Sequence, residues 1–440
     1  MTLGYQPLVA VITEEMSRLG PIPFARFMEL ALYATLHGYY MRSVEKAAGE
    51  RIGDQPVGED RIGPEPLGED RIGWDGDFYT NSDVHSIYGC CLADQFVQID
   101  RLLGRADPFT ILEMGGGKGL LARDIFARFA TIEPSILDRV AYLMVERSPA
   151  MQAAQREQLR PWLDQGVRVT WATSLEEIPA RSLTGIVFSN ELVDAFPVHR
   201  IRMVQDEPKE LYVDFREGRF VEVLGDLSTP ELGAYIDSLR AQDLPLRDGQ
   251  TLDLNLDALR WMRAVAGVLR RGMVMTVDYG HTADDLFGAD RRTGTLLCYY
   301  RQLVSEDPYV RVGLQDMTAH VDFTALATIG EQAGLQVTGF TNQMSFLMSL
   351  GVERHLESLE PGSREFQSVI GLLRPEGLGR PFKILVQHKG MDAPQLDGLR
   401  FKPFFGSALS RAIGNGHEAM GRAHSSNPPP IAHSLSPDMS

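Results

Sequence analysis

Cysteine is scarce in this chain. Only Cys90, Cys91 and Cys298 occur in 440 residues, two of them adjacent, with no CxxC pair and no Cys/His cluster. That pattern excludes a disulfide framework and a structural zinc site, and it points to a reducing compartment. Positive charge is also short. Forty-three Lys and Arg stand against 59 Asp and Glu, a formal net charge of -16. A general nucleic-acid binder needs a basic face for phosphate, so that class is excluded, whereas a basic or cationic partner suits the balance. No apolar run reaches membrane-spanning length. The first residues, MTLGYQPLVAVITEEMSRLG, carry Glu14 and Glu15 and lack a basic stretch before an apolar core. They resemble neither a secretory leader nor a transit peptide, so the expectation is a cytoplasmic protein.

What is present is ordinary globular material, 44% hydrophobic and 23% charged, enough for one large or two ordinary domains. Residues 5–40 carry apolar positions at helical spacing, broken at Pro21 and Pro23. GERIGDQPV, GEDRIGPEPL and GEDRIGWDG then follow one another through residues 49–76. This tandem decapeptide is too short and too polar for a solenoid and reads as an expanded surface loop. A helix is expected over 82–103. From Phe109 strands and helices alternate, the signature of a parallel α/β sheet covered on both faces. VHRIRMV, KELYVDFR and RFVEVL alternate with period two, as an antiparallel insertion near 198–250 would. Residues 281–320 read as loop-rich. Beyond residue 405 the chain turns polar, with an NPPP run, and a disordered tail is expected over 406–440. The division that follows is a helical cap with the repeat loop over 1–105 and a catalytic domain over 106–405.

One stretch defines the chemistry. ILEMGGGKGLLARDI, from Ile111 to Ile125, is a strand, a glycine turn and an amphipathic helix. A phosphate loop would place Ser or Thr after Lys118, but Gly119 and Leu120 stand there. A dinucleotide fingerprint would place its third glycine at Leu120 and prefers no acid just before the turn, since pyrophosphate is an anion. Glu113 lies two residues before Gly115. A carboxylate there repels pyrophosphate and holds an ammonium group. Glu-x-Gly-x-Gly-x-Gly therefore suits S-adenosylmethionine, with Gly115, Gly116 and Gly117 letting the backbone approach it. Tight helix–strand packing is the plainer reading of the same glycines.

A doubly wound sheet binds its ligand at the carboxyl ends of the strands, so the residues there are the candidates. The second strand ends at Glu146 in MVERSP, an acid able to accept both hydroxyls of a ribose, or to cap a helix. Ser174, after the third strand, stands ready for an adenine or as an N-cap. The fourth strand ends at Asn190, Glu191 and Asp194, the two acids spaced to share one face of a helical turn. Such a pair can clamp a guanidinium or take a proton from a nitrogen under methylation, or simply cap a helix start. Asp278, in TVDYGH at the fifth strand end, is the next acid facing that crevice.

Taken together, GPIPFARFMELALY, HGYY, GDFYTNSDVHSIYG, ILEMGGGKG, LMVERSP, SNELVDAFPVHR, VDYGH, GLQDMTAHVDF and FKILVQ resemble the MidA-type family of S-adenosylmethionine-dependent methyltransferases. That family includes a mitochondrial complex I assembly factor that methylates an arginine of a complex I subunit. The resemblance covers roughly residues 15–390 in family order. It implies a class I methyltransferase fold, a Rossmann-like doubly wound sheet, with an N-terminal helical cap and a mid-chain β insertion. By motif match it supports cofactor roles for Glu113, Gly115, Gly117 and Glu146 and places Thr80 and Ser82 beside the cofactor. Asn190, Glu191 and Asp194 match the motif after the fourth strand, with Asn190 toward the cofactor. Tyr40, Asp77 and His320 fall on the acceptor side. One departure lies at Leu303, where the family usually has His. The function expected is methyl transfer to an arginine of a protein substrate, with Glu191, Asp194 and Asp278 as the catalytic acids. The rivals are a small-molecule methyltransferase and a non-catalytic assembly or scaffold protein.

Overall fold

The computed structural model describes residues 3–42, 85–289, 291–301, 303–374 and 378–401. The decapeptide repeat, Asp77, Thr80, Ser82 and the stretch 406–440 lie outside them. The chain opens with α1 (Gln6–Leu19), the short strand β1 (Ile22–Pro23) and α2 (Phe24–Tyr33). After α3 (Ile87–Leu102) come β2 (Phe109–Met114), α4 (Leu120–Ile132), β3 (Val140–Val145), α5 (Pro149–Asp164), β4 (Arg168–Ala172) and β5 (Leu183–Asn190). Next are β6 (His199–Val204), β7 (Glu207–Arg216), β8 (Arg219–Gly225), α6 (Pro230–Arg240) and β9 (Thr251–Leu254). α7 (Leu256–Val268) and β10 (Leu269–His281) resume the alternation. The strands β11 (Leu297–Tyr300), β12 (Leu303–Ser305), β13 (Asp316–Thr318) and β14 (Val321–Asp322) precede α8 (Phe323–Gln332) and β15 (Gln336–Asn342). The last elements to be named are α9 (Gln343–Ser349), α10 (Arg364–Leu373) and β16 (Phe382–Lys389).

The central sheet runs β15-β16-β10-β5-β2-β3-β4, with β14 beside the end of β10. β10, β5, β2, β3 and β4 are parallel, and β16 is antiparallel to both its neighbours. Strand residues divide between two cores by the period-two rule. Ile111, Ile186, Phe188, Met273, Met275 and Ile384 join α3 and α4 on one face. Leu112, Val187, Val274 and Leu385 join α7 and α8 on the other. Strands covered on both faces read as the unbroken apolar runs seen in the sequence. Gly185 and Gly272 lie near the starts of β5 and β10, where the backbones approach closely: a Cβ on Gly185 would stand 1.9 Å from Thr110 O, and one on Gly272 1.9 Å from Gly185 O. Helix starts are locally encoded. Ser148 accepts from Met151 N, Asn255 from Ala258 N and Asp322 from Ala325 N.

Three features differ from the sequence expectations. α3, grouped there with the cap, packs into the core of the central sheet. The loop-rich 281–320 stretch contains a small sheet, β12-β11-β13, whose strands are too short to leave a periodic pattern. The cap and the insertion are one body. β1 pairs antiparallel with β7, extending a sheet of order β1-β7-β6-β9 with β8 on the other edge of β7. Pro23 is tolerated because β1 is an edge strand. One buried cluster joins Leu8, Ile12, Phe24 and Phe27 of the cap to Val213 and Phe220 of the insertion and to Cys298 and Met317 of the small sheet.

Candidate functional site

The chain leaves β2 for β3 and β4 on one side and returns through β5 on the other, so the crevice between β2 and β5 is the topological switch point. β2 delivers Glu113 to it, 2% exposed, with the Tyr142 hydroxyl donating to Oε2 at 2.9 Å. Burial pushes its carboxyl up to about 7, against the lowering effect of Tyr142. The glycine turn follows with left-handed residues at Gly115 (φ +67°), Gly117 (φ +50°) and Gly119 (φ +83°). Gly116 passes so close over the acid that a Cβ would stand 3.0 Å from the Glu113 carboxyl and 2.7 Å from Met144 Cε. Gln155 Nε2 donates to Gly117 O at 2.8 Å and pins the turn to α5. The result is a backbone cradle against a buried acid, which suits a ligand carrying an ammonium group and disfavours a phosphate.

Glu146 ends β3. One oxygen accepts Ser148 N–H at 2.7 Å and the other lies 3.5 Å from Gln155 Nε2. Burial holds its carboxyl above the usual range despite those bonds. The capping contact and a place in the crevice therefore coexist. Ser174 precedes a short 3-10 turn, yet its hydroxyl makes no cap hydrogen bond.

A cavity of about 820 Å³ runs from this cradle to the cap. Glu113, Gly115, Gly116, Gly117, Glu146, Ser174 and Asn190 line one end, with Trp261 among them. Tyr33, Tyr40, Glu191, Asp194, Tyr299, Asp316 and His320 line the other. Ligand pockets measure about 300–1,000 Å³, so this cavity falls in the upper part of the range for a cofactor-sized site. Asn190 is locked between its neighbours: Tyr88 OH donates to its Oδ1 at 2.7 Å and its Nδ2 donates to Glu191 Oε1 at 3.0 Å.

Glu191 and Asp194 reach the cavity by a route the spacing did not anticipate. No helix follows β5; residues 191–196 form an irregular turn and Glu191 itself is left-handed, φ +53°. Asp278 explains the turn. Fully buried, it does not line the cavity; its Oδ2 accepts Leu192 N at 3.1 Å and Val193 N at 2.8 Å, and its Oδ1 accepts Tyr279 N at 2.9 Å. It stands behind the crevice and shapes the turn that presents the other acids. Asp194 is held well above the usual carboxylate range, first by burial, then by Asp278, Asp316 and Glu191. His320 borders the cavity with a neutral ring, pushed down to about 4 by burial, Arg291 and Lys383. Leu303 is 66% exposed on β12. Sequence reasoning missed Tyr33, Trp261, Tyr299 and Asp316; the only sign of Asp316 was an acid within GLQDMTAHVDF. Among the described residues no group of three or more His, Cys, Asp or Glu could hold a metal, and no helix is long and apolar enough to cross a membrane.

A doubly wound sheet of this order, with an acid and a glycine turn at its switch point and a second acid after the next strand, defines a class I S-adenosylmethionine-dependent methyltransferase. The sequence model of the family described as "Putative S-adenosyl-L-methionine-dependent methyltransferase" matches residues 91–341, and the chain belongs to that family. The protein arginine methyltransferase NDUFAF7 homolog of Drosophila melanogaster, a mitochondrial protein, is 27% identical over 90% of this chain and 87% of its own length. The human mitochondrial protein arginine methyltransferase NDUFAF7 is 23% identical over 90% of this chain and 88% of its own. A crystal structure from Burkholderia thailandensis, bound to S-adenosyl-homocysteine, superposes with a TM-score of 0.74 at 27% identity, covering 89% of this chain and 94% of that one. The enzyme uses S-adenosylmethionine. One expectation is overturned: the relatives are mitochondrial proteins, which removes the support for a cytoplasmic setting.

Proposed function

We propose that the enzyme methylates a guanidinium nitrogen of an arginine in a protein substrate. The observation that carries this reading is the cavity lining, which Glu191 and Asp194 share with the aromatic residues Tyr33, Tyr40 and Tyr299. Carboxylates accept the forked donors of a guanidinium, and aromatic faces attract its charge. The names of the fly and human relatives point the same way.

When bound, S-adenosylmethionine supplies an electrophilic methyl on its sulfonium. In this proposal Glu113 receives its ammonium, the turn Gly115–Gly117 lets the backbone close on it, and Glu146 receives the ribose hydroxyls. Ser174 and Asn190 border the same end. Glu191 orients the acceptor nitrogen in line with the methyl and takes the one proton that nitrogen loses as the new bond forms. Asp194 supports it within the turn, and Asp278 holds that turn rather than touching the acceptor. Tyr33, Tyr40 and His320 enclose the acceptor and exclude water. Thr80, Ser82 and Asp77 lie outside the described residues.

The test is methyl transfer from labelled S-adenosylmethionine into a protein extract, followed by hydrolysis and mass spectrometry for methylarginine. Glu191→Gln should bind S-adenosylhomocysteine normally and lower turnover by about 100-fold, the scale of a lost general base. A methylated small molecule without methylarginine, or a Glu191→Gln enzyme of full activity, would replace this reading.

A further inference from the structure

Asp316 opens β13 and is 2% exposed, yet it borders the acceptor end of the cavity. Its Oδ1 accepts from the Tyr40 hydroxyl at 2.7 Å and from Met317 N at 2.9 Å, which aims the carboxyl group. Directly across the small sheet stands Tyr299, its register partner, which also faces the cavity. Tyr40 stacks on Tyr33, centroids 5.5 Å apart and planes at 22°, and the Tyr33 hydroxyl donates to Ala195 O at 2.9 Å, next to Asp194. Four chain segments thus close one lobe around the buried acids Asp194 and Asp316, and the charge of Asp316 disfavours ionisation of Asp194.

We infer that Asp316 is the second carboxylate of the acceptor clamp. Glu191, from the turn after β5, and Asp316, from β13, hold the guanidinium from two separate elements. Together they make the site select a cationic acceptor over a neutral one of the same shape. The inference rests on the arginine reading above. Its physical basis is that Glu191, Asp194 and Asp316 border one lobe, where Asp194 is disfavoured as an anion by both of the others, and that a planar cation with donors on two edges offsets this crowding of negative charge. The Tyr40 hydroxyl fixes the Asp316 rotamer and so ties the cap to acceptor recognition. A neutral Asn could equally accept from Tyr40, so a purely structural latch would not depend on the charge.

The experiment uses the full chain loaded with S-adenosylhomocysteine and titrates N-acetyl-arginine amide and its neutral isostere N-acetyl-citrulline amide. The native enzyme should prefer the arginyl probe by about tenfold or more, the scale of a charge-assisted hydrogen-bond pair. Asp316→Asn should abolish most of that preference, leave S-adenosylhomocysteine affinity within about twofold, and raise KM for the arginyl acceptor more than it lowers kcat. Tyr40→Phe, which keeps the charge but loses its orienting donor, should fall between the two. If the native enzyme prefers arginine and Asp316→Asn prefers it equally, this inference fails while the arginine reading stands. Loss of cofactor affinity in Asp316→Asn alongside the probe would make the residue a structural latch and overturn the inference as well. Should the native chain show no preference, the arginine reading falls and this inference with it.

Discussion

The two ends of the cavity are built in opposite ways. At the end proposed for the cofactor, Glu113 and the glycine turn come from one strand–turn–helix unit and Glu146 from the end of the neighbouring strand. At the acceptor end, Tyr40 bonds Asp316 across 276 residues of chain and Tyr33 bonds Ala195 across 162. Local units of this kind keep their geometry when remote parts shift, whereas a lobe drawn from distant segments depends on the packing that brings them together. The cofactor end is thus a property of the central sheet. The acceptor end is a property of the joint body formed by cap, insertion and small sheet.

The comparison breaks most severely at Gly115. Its φ of +67° is costly for any side chain, and a Cβ would stand 2.8 Å from Leu192 Cδ1, on the turn that carries Glu191. Left-handed strain of about 1–2 kcal/mol adds to the displacement. Gly115→Val should weaken S-adenosylhomocysteine binding by about 100-fold or more by calorimetry, since each 1.4 kcal/mol is about tenfold. Binding within a few-fold of native would show that the cradle is packing alone. Next in size is Phe27→Ala. Phe27 is fully buried, 5.2 Å from the Phe220 ring and 5.5 Å from Tyr309, so it bonds cap to insertion. Removing such a side chain costs about 3–5 kcal/mol. Its thermal transition should fall and acceptor turnover with it, while cofactor affinity at low temperature survives. Equal loss of both would mean that the two ends are one cooperative site.

Legibility in the sequence follows the same division. The strand ends at Glu113, Glu146 and Asn190 were readable because each closes an apolar run, and the glycines because they interrupt one. The two packed faces were implied by the alternation of strands with helices. The acceptor end left no comparable trace. Glu191 and Asp194 do border the cavity, but not on a helical face, because Asp278 draws the backbone N–H groups of Leu192 and Val193 and holds an irregular turn. Asp278 itself looked like a crevice acid because sequence gives a strand's end but not which way its last side chain points. Tyr33 and Tyr299 read as core aromatics, the commoner fate of such residues. Strands as short as β11, β12 and β13 carry too few positions for any period to register. The pairing of β1 with β7 is a tertiary fact that no local pattern encodes.

A milder probe separates the ends by pH. Burial raises the Glu113 carboxyl to about 7, so below that pH the free enzyme holds a proton there. An ammonium ligand needs the carboxylate and must expel that proton. Affinity for S-adenosylhomocysteine should therefore rise with pH up to about 7, by at most about tenfold per unit, and level off above it. Glu146, also raised by burial, adds to the same trend. Glu113→Gln should bind more weakly throughout and lose most of the slope. A native profile that is flat between pH 5.5 and about 7 would remove Glu113 from ammonium recognition.

The smallest expected effect tests whether the cap recognises the acceptor or merely covers it. Tyr33→Phe deletes only the hydroxyl that donates to Ala195 O and leaves the ring stacked on Tyr40. A net hydrogen bond contributes about 0.5–1.5 kcal/mol, so the turn bearing Asp194 should loosen by no more than that. KM for an arginyl acceptor should rise by a few-fold, with kcat and cofactor affinity unchanged, because Glu191 keeps its bond from Asn190 and Asp278 still holds the turn from behind. An unchanged KM would reduce the cap to bulk over the lobe. A parallel fall in cofactor affinity would instead carry the disturbance back through residues 191–194 to the glycine turn, and Leu192, already in van der Waals reach of Gly115, is the contact through which it would travel.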